Sequence, residues 1–546
     1  MTQLDSPQSP TSETSNPLRL IAVALLLGWS VDYFFYDHAL GLSFPIFIAV
    51  GALLMLGVAI AERVRPALGS LWLLIPIIVF AALVAVRAEP LTTFVNVASS
   101  LALGLLWVRT FRLGGLFHFG LLDYAVNYVL AGIETVIRPL SVLASASKQA
   151  SARENNRRMW MPIARGLLLA TPILCLFAIL LSAADLVFAD RLRDVLEKLN
   201  LDNLPELIER SVLILVSAYV AVGVFAVALR NAIPYSPRGD GDSLVPRFLG
   251  GIESGIVLGS INLLFAAFVV IQFQYLFGST ANITEAGYTY SEYARRGFGE
   301  LVLVVAITLL ILLALSAIVR RETRAAAGVF NALNVVMVGL VGVMVVSALQ
   351  RLLLYEAIFG FTRLRTYSHV AIIWLGLLFA PYLLALLAGR MRWFATGALF
   401  VVIGFGLTLN ALNVDRFIAA RNVEYYKRNG TLHARYLLTL SDDALPELLP
   451  LLDSGDPEVL EALGPGLACR IDYASREYQA RSWQSAHLAH QAAWDRLGQL
   501  GSSLSRWTVY KHPYDGDFVY VGEERALCAT LLQSFVLEPG LTSEYR

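Results

Sequence analysis

The sequence predicts an all-α fold: a polytopic α-helical membrane bundle of about eleven spans, followed by a small, mainly helical C-terminal soluble domain. Three observations predict it. Of 546 residues, 57% are hydrophobic and 15% charged, with a mean hydropathy of +0.63, where an ordinary soluble protein carries roughly 25% charged residues. Several apolar runs reach about 18 residues, enough to cross a ~30 Å hydrocarbon core as a helix. Charge then rises late in the chain: residues 414–546 hold 13 basic and 18 acidic side chains, although the whole chain balances at 42 against 42. This composition excludes a soluble enzyme, a disordered chain and a coiled coil. A formal net charge of +0 gives no case for a nucleic-acid partner.

Residues 1–17 are polar and rich in Ser, Thr and Pro, the composition of a disordered leader. No basic stretch precedes the first apolar run, so a cleaved signal peptide is not expected. Within the transmembrane domain, 18–413, spans are expected at 18–36, 43–61, 70–86, 91–108, 164–189, 211–229, 252–277, 300–319, 329–355, 367–389 and 393–413. With the N-terminus in the cytoplasm, inner loops hold 18 Lys and Arg and outer loops 9, the bias that the positive-inside rule requires. That arrangement makes 414–546 an extracytoplasmic C-terminal domain. Segment 115–137 repeats Phe119, Leu122, Val126, Val129, Ile133 and Val136 on one helical face and Asp123, Asn127 and Glu134 on another. It is expected to be an interfacial amphipathic helix; reading it as a span would carry Lys148, Arg153, Arg157 and Arg158 outside.

Chemistry-bearing motifs are sparse. The four lysines, Lys148, Lys198, Lys427 and Lys511, never follow a glycine, so no phosphate-binding GxxxxGK[ST] loop exists. There is no GxSxG elbow and no HExxH. No cofactor and no metal are therefore expected, and His487 and His490, three apart on an expected helix, read as solvated residues. Cys175 falls in an expected span and reads as a buried apolar residue. Cys469 and Cys528 are the two cysteines of the tail domain; outside the cell they read as a disulfide, with two free thiols as the alternative. Gly251, Gly255 and Gly259 recur every four residues, a spacing that lets helix backbones approach closely, within the chain or between protomers. Polar residues inside spans, among them Asp32, Asn96, Asn262, Gln272, Asn334 and Arg351, read singly as structural hydrogen-bonding groups facing the bundle interior.

Arginine and tyrosine recur at the outer ends of the later spans. Loop 278–300 carries Tyr290, Glu292, Tyr293, Arg295 and Arg296; the next outer loop and the head of the following span carry Tyr355, Glu356, Arg363, Arg365, Tyr367 and His369; Asp415, Arg416 and Arg421 follow the last span. Two readings stand: an aromatic belt with local salt bridges, or a ligand site for an anionic lipid headgroup built from Arg295, Arg296, Arg363 and Arg365 with Tyr290, Tyr293, Glu292 and Tyr367.

The same segments carry a resemblance. YTYSEYARRGFGEL at 288–301, FGFTRLRTY at 359–367, NVDRFIAARNV at 413–423 and YLLTLSDDALPEL at 436–448 are similar to a family of bacterial multi-pass membrane proteins. It is catalogued as domain of unknown function four-one-seven-three, with relatives in four-one-five-three. The resemblance implies a bacterial cytoplasmic (inner) membrane location and supplies no activity. In the tail, Ser441 and the Asp456–Pro457 pair mark helix starts, 483–500 is a third helix, and 506–522 alternates as a short hairpin.

Three function classes follow. The first is binding or transport of an anionic or amphipathic envelope molecule at the outer membrane face, with membrane lipids as partners. The second is a scaffold or signalling partner whose C-terminal domain binds a protein. The third is a lipid-linked transferase, for which Asp415 and Glu292 are the evident acids.

Overall fold

The computed structural model describes residues 16–153, 204–230, 246–276 and 298–532, apart from position 113 and gaps at 455, 481, 500–503, 505 and 513–515, with scattered positions between 154 and 203. The leader up to residue 15, the expected span at 164–189, Cys175, and Tyr290, Glu292, Tyr293, Arg295 and Arg296 lie outside the described residues.

The protein is a multi-pass helical membrane bundle. Among the described residues, 10 helices are long and apolar enough to cross a membrane, and Leu68–Val84 is a shorter apolar helical stretch. The first half comprises α1 (Pro17–Phe35), α2 (Ser43–Ala61), α3 (Leu74–Val84), α4 (Pro90–Thr110), α5 (Leu121–Arg153) and α6 (Leu204–Leu229). The second comprises α7 (Gly251–Leu276), α8 (Phe298–Ile318), α9 (Arg324–Phe359), α10 (Arg363–Leu387) and α11 (Arg392–Leu412).

Helix boundaries follow local chemistry. Asn16 caps α1 by accepting from the Leu18 N–H at 3.2 Å, with Pro17 as the first helical residue. Glu89 does the same for α4, accepting from the Leu91 N–H at 2.9 Å and the Thr92 N–H at 2.6 Å ahead of Pro90. Each cap satisfies a donor that has no partner inside its helix.

Two apolar cores hold the bundle. The first gathers Leu20, Met55, Phe80, Trp107, Phe111 and Phe225 from α1 to α6. The second gathers Leu258, Leu312, Met337, Met344 and Tyr382 from α7 to α10. Helix α11 lies between them, and its glycines make that possible. A Cβ at Gly406 would stand 2.8 Å from the Phe80 ring, and Gly404 faces the Trp374 indole. Asn96 and Asn410 exchange amide hydrogen bonds of 3.0 and 2.6 Å across α4 and α11. Tyr382 donates to Asn334 at 2.6 Å in the second core. Polar groups inside the spans thus pair with each other, as a medium without water demands.

Two segments add detail to the sequence pattern. Segment 115–137 comprises a short turn, Leu116–His118, and the first half of α5. Its polar residues Asp123, Asn127 and Glu134 are buried against the protein. Arg109 bonds Asn127 and Glu134, each at 2.9 Å. Leu122, Val129, Ile133 and Val136 are exposed. The amphipathic pattern is real, but its polar side serves a buried arginine. At the start of α7, a Cβ on Gly251 would stand 3.3 Å from the Ala326 Cβ, whereas Gly255 and Gly259 have nothing within 4 Å. The buried face of α7 is the neighbouring stripe of Ser254, Leu258 and Asn262.

The C-terminal domain begins with α12 (Val414–Asn429) and continues through α13 (Ala434–Leu438), α14 (Leu445–Leu448), α15 (Pro457–Ala480) and α16 (Leu488–Gln499). Asp456 caps α15, accepting from the Glu458 N–H at 3.0 Å. A three-stranded antiparallel sheet of order β1–β2–β3 (Val509–Tyr510, Phe518–Val521, Glu524–Leu527) extends the expected hairpin by one strand. Cys469 of α15 and Cys528, which follows β3, form a disulfide with Cα atoms 5.5 Å apart across 59 positions. It ties the sheet to the helical core, where both cysteines are fully buried. Removing it by Cys469→Ser is expected to lower the stability of the domain by about 2–4 kcal/mol. Thermal unfolding of the purified protein with and without reductant checks this, and identical midpoints would contradict it.

Candidate functional site

Three of the four segments that carry the family resemblance meet at one buried carboxylate. Asp415, in the first turn of α12, is 0% exposed along its side chain. Arg363, the first residue of α10, grips it with two parallel bonds, Nε to Oδ1 at 2.8 Å and a terminal nitrogen to Oδ2 at 2.6 Å. Oδ2 also accepts from the Ser441 N–H at 2.6 Å. The Arg363 guanidinium reaches the Thr439 carbonyl at 3.2 Å, and its backbone N–H donates to the Tyr436 hydroxyl at 2.7 Å. Planar two-point pairing fixes orientation as well as distance. Alongside, Asn422 of α12 clasps the backbone of Phe361, donating to its carbonyl at 2.8 Å and accepting from its N–H at 3.1 Å. Gly360 is required there: its φ is +70° and a Cβ would stand 2.5 Å from the Asn422 Oδ1.

A second contact joins the domain to the start of α4. Asp443 accepts from the Ala88 N–H at 2.7 Å and lies 3.8 Å from Arg87, which donates to the Asn410 carbonyl at 3.0 Å. Burial pushes the Asp443 carboxyl above its ordinary value, while the Ala88 N–H and Arg87 pull it back. The paired histidines contribute here as well. His487 bonds the Arg87 carbonyl at 3.0 Å, and His490 meets Asp442 at 2.5 Å. The Leu42 N–H reaches the Ala486 carbonyl at 2.9 Å, and the Leu488 N–H the Ala85 carbonyl at 2.8 Å. The domain is therefore seated on the loops after α1 and α3 and on the connection between α9 and α10.

This arrangement assigns the described outer arginines to protein partners. Arg363 belongs to Asp415. Arg365 donates to the Phe359 carbonyl at 3.1 Å and lies 4.3 Å over the Tyr355 ring, so it caps the end of α9. Arg416 pairs with Glu447 at 2.9 Å and Arg421 with Glu424 at 3.0 Å. Tyr367 packs on the small core around Ile418 and Leu437. His369 lies 3.3 Å from the buried Glu356. Asp415, one of the two acids that a transferase would use, is enclosed rather than presented.

A cavity of about 330 Å³ opens between α7, α8 and α9 on the side of the bundle where the domain sits. Its walls are apolar: Leu264, Phe265 and Phe268 of α7, Leu301 and Val304 of α8, and Met344 of α9. Two charged residues line it as well, Glu300 in the first turn of α8 and Arg351 of α9. Arg351 is 7% exposed and donates to the Gln272 Oε1 at 2.9 Å, which also accepts from Ser347 at 3.0 Å. A larger cavity of about 420 Å³ between α1, α2, α3, α4 and α6 has no charged lining residue. Sequence pattern singled out Arg351 and Gln272 as intramembrane polar residues, but their meeting depends on α7 and α9 running parallel, which no spacing reveals.

A family model described as Domain of unknown function (DUF4153) matches residues 74–451, a stretch that contains the cavity, Arg363, Asp415 and Asp443. No curated protein and no solved structure matches the chain.

Asp415→Asn removes the charge that Arg363 is built around and leaves the guanidinium enclosed. It is expected to destabilise the protein by roughly 3–5 kcal/mol, the cost of breaking a buried pair from one side. Intrinsic tryptophan fluorescence during thermal unfolding measures this, and an unchanged midpoint would contradict a stabilising role for the pair.

Proposed function

The chain belongs to the Domain of unknown function (DUF4153) family, and we propose that it binds or transports an amphipathic, anion-bearing envelope molecule at the outer face of a bacterial cytoplasmic membrane. The observation that carries this reading is the cavity between α7, α8 and α9, whose apolar walls lead to Arg351, a guanidinium 7% exposed. A charge within the span region is costly and is kept where it pairs or meets a ligand. Arginine's planar fork suits phosphate or carboxylate.

Orientation is part of the same proposal. The Cys469–Cys528 disulfide favours an oxidising, extracytoplasmic compartment for the tail domain. The loops on which the domain sits then lie outside, and so does the end of α9 that carries Arg351. A cytoplasmic N-terminus agrees with the Lys and Arg bias of the loops. Arg363 joins the domain to the bundle, and Arg365 caps the end of α9.

Arg351→Ala is expected to lower the amount of phosphorus-bearing lipid that co-purifies with the full-length protein by about tenfold, one charge-assisted contact's worth. Native mass spectrometry reads this directly. Wild-type levels of bound lipid in a folded Arg351→Ala protein would refute the proposal.

A further inference from the structure

The cavity between α7, α8 and α9 carries opposite charges, and this narrows its ligand. We infer that it takes a zwitterionic amphiphile, a phosphate ester bearing a primary ammonium, with the phosphate on Arg351 and the ammonium on Glu300. This rests on the binding reading above and names the chemical class of the ligand.

Three observations support it. First, Arg351 and Glu300 both line the cavity, yet they form no ion pair with each other among the described residues. Glu300 is exposed, with no hydrogen-bond or ion-pair partner among the described residues. An acid left over at the rim of an otherwise apolar pocket repels a purely anionic headgroup. It suits one that brings its own cation, and a primary ammonium offers three donors.

Second, the charges stand at one end of the cavity and the apolar walls at the other. Helices α7 and α9 run parallel: Gly251 faces Ala326, Asn262 bonds the Leu333 carbonyl, and Gln272 bonds Ser347 and Arg351. Helix α8 runs the other way, its end at Val319 bridging Leu249 just before α7. Glu300 in the first turn of α8 and Arg351 beside Gln272 are therefore level with each other near the outer ends. Leu264, Val304 and Met344 lie deeper. A head that spreads its two charges side by side, with its tail pointing inward, matches this layout.

Third, a volume of about 330 Å³ falls at the lower end of the range for small-ligand sites, roughly 300–1,000 Å³. It accommodates a headgroup and the upper part of a chain, leaving the rest of the tail to run out between the helices into lipid.

The test uses the full-length protein, stripped of lipid in detergent and titrated with phosphatidylethanolamine or phosphatidylglycerol of identical chains, bound lipid being counted by native mass spectrometry. Wild type is expected to bind the ethanolamine lipid about tenfold more tightly than the glycerol lipid, the worth of one charge-assisted contact. Glu300→Gln is expected to abolish that preference, and Arg351→Ala to weaken both lipids. Should Arg351→Ala fail to fold, Val304→Trp, which fills the cavity and leaves both charges in place, is expected to weaken both lipids instead. A wild type that prefers the glycerol lipid, or a Glu300→Gln protein that keeps the ethanolamine preference, overturns the zwitterion inference and leaves the role of Arg351 standing. Undiminished binding of both lipids by Arg351→Ala, or by Val304→Trp in its place, overturns the underlying binding reading. Competition by tail-free glycerophosphoethanolamine at equal concentration would overturn the lipid assignment in favour of a soluble phosphoethanolamine compound.

Discussion

The two-point pair between Arg363 and Asp415 is the interaction on which the arrangement of this protein depends. It joins the first residue of α10 to the first turn of α12, and so couples the membrane bundle to the domain that covers one end of it. Asp415 is fully enclosed, and an enclosed carboxylate is tolerable only because guanidinium and backbone donors replace the water it loses. The Ser441 N–H supplies part of that replacement, and thereby fixes where the chain turns toward α14. Asn422 and Asp443 extend the same logic to the Phe361 and Ala88 backbones. Around these polar contacts, an apolar cluster of Val370, Leu409, Ile418 and Leu437 joins the same two parts.

The bundle solves the same problem one layer deeper. Arg109 meets Glu134 and Asn127, Asp32 meets Arg210 at 2.8 Å, and Asn96 meets Asn410. Each is a polar group from one helix matched by another, which is what a low-dielectric medium enforces. Against that background, Glu300 and Arg351 stand out because both line a cavity, Arg351 while also bonded to Gln272 of the neighbouring helix. The domain clasp and the cavity share the connection between α9 and α10, since Arg351 lies eight residues before Phe359, at the end of α9. Loss of the clasp would free the end of the helix that carries the cavity's cation.

Much of the fold was legible because hydrophobic length is a direct physical readout of a bilayer. The start at Asp456–Pro457 was read from capping chemistry alone, whereas the caps at Asn16 and Glu89 emerged only in the structure. The amphipathic stretch 115–137 showed its two faces in the sequence, but not which of them faced the protein. That was decided by Arg109, placed by tertiary packing. The glycines at 251, 255 and 259 were visible as a motif, while the face that packs lies one position aside, at Ser254 and Leu258. The outer arginines were recognised as a group, but Arg363 was already matched to Asp415, 52 positions away. Pairing over such a distance leaves no local trace. Gln272 and Arg351, 79 positions apart, became a site only once parallel helices brought them together.

The cavity beside Arg351 is proposed to hold an amphiphile by its head. The most direct measurement is an electron cryo-microscopy map of the full-length protein purified in native lipid discs, at a resolution that shows side chains. Density for a headgroup is expected against the Arg351 guanidinium, continuing as a chain between Phe265 and Val304. A cavity closed by the Met344 and Phe268 side chains, or empty while lipid density is seen elsewhere on the bundle, would contradict it.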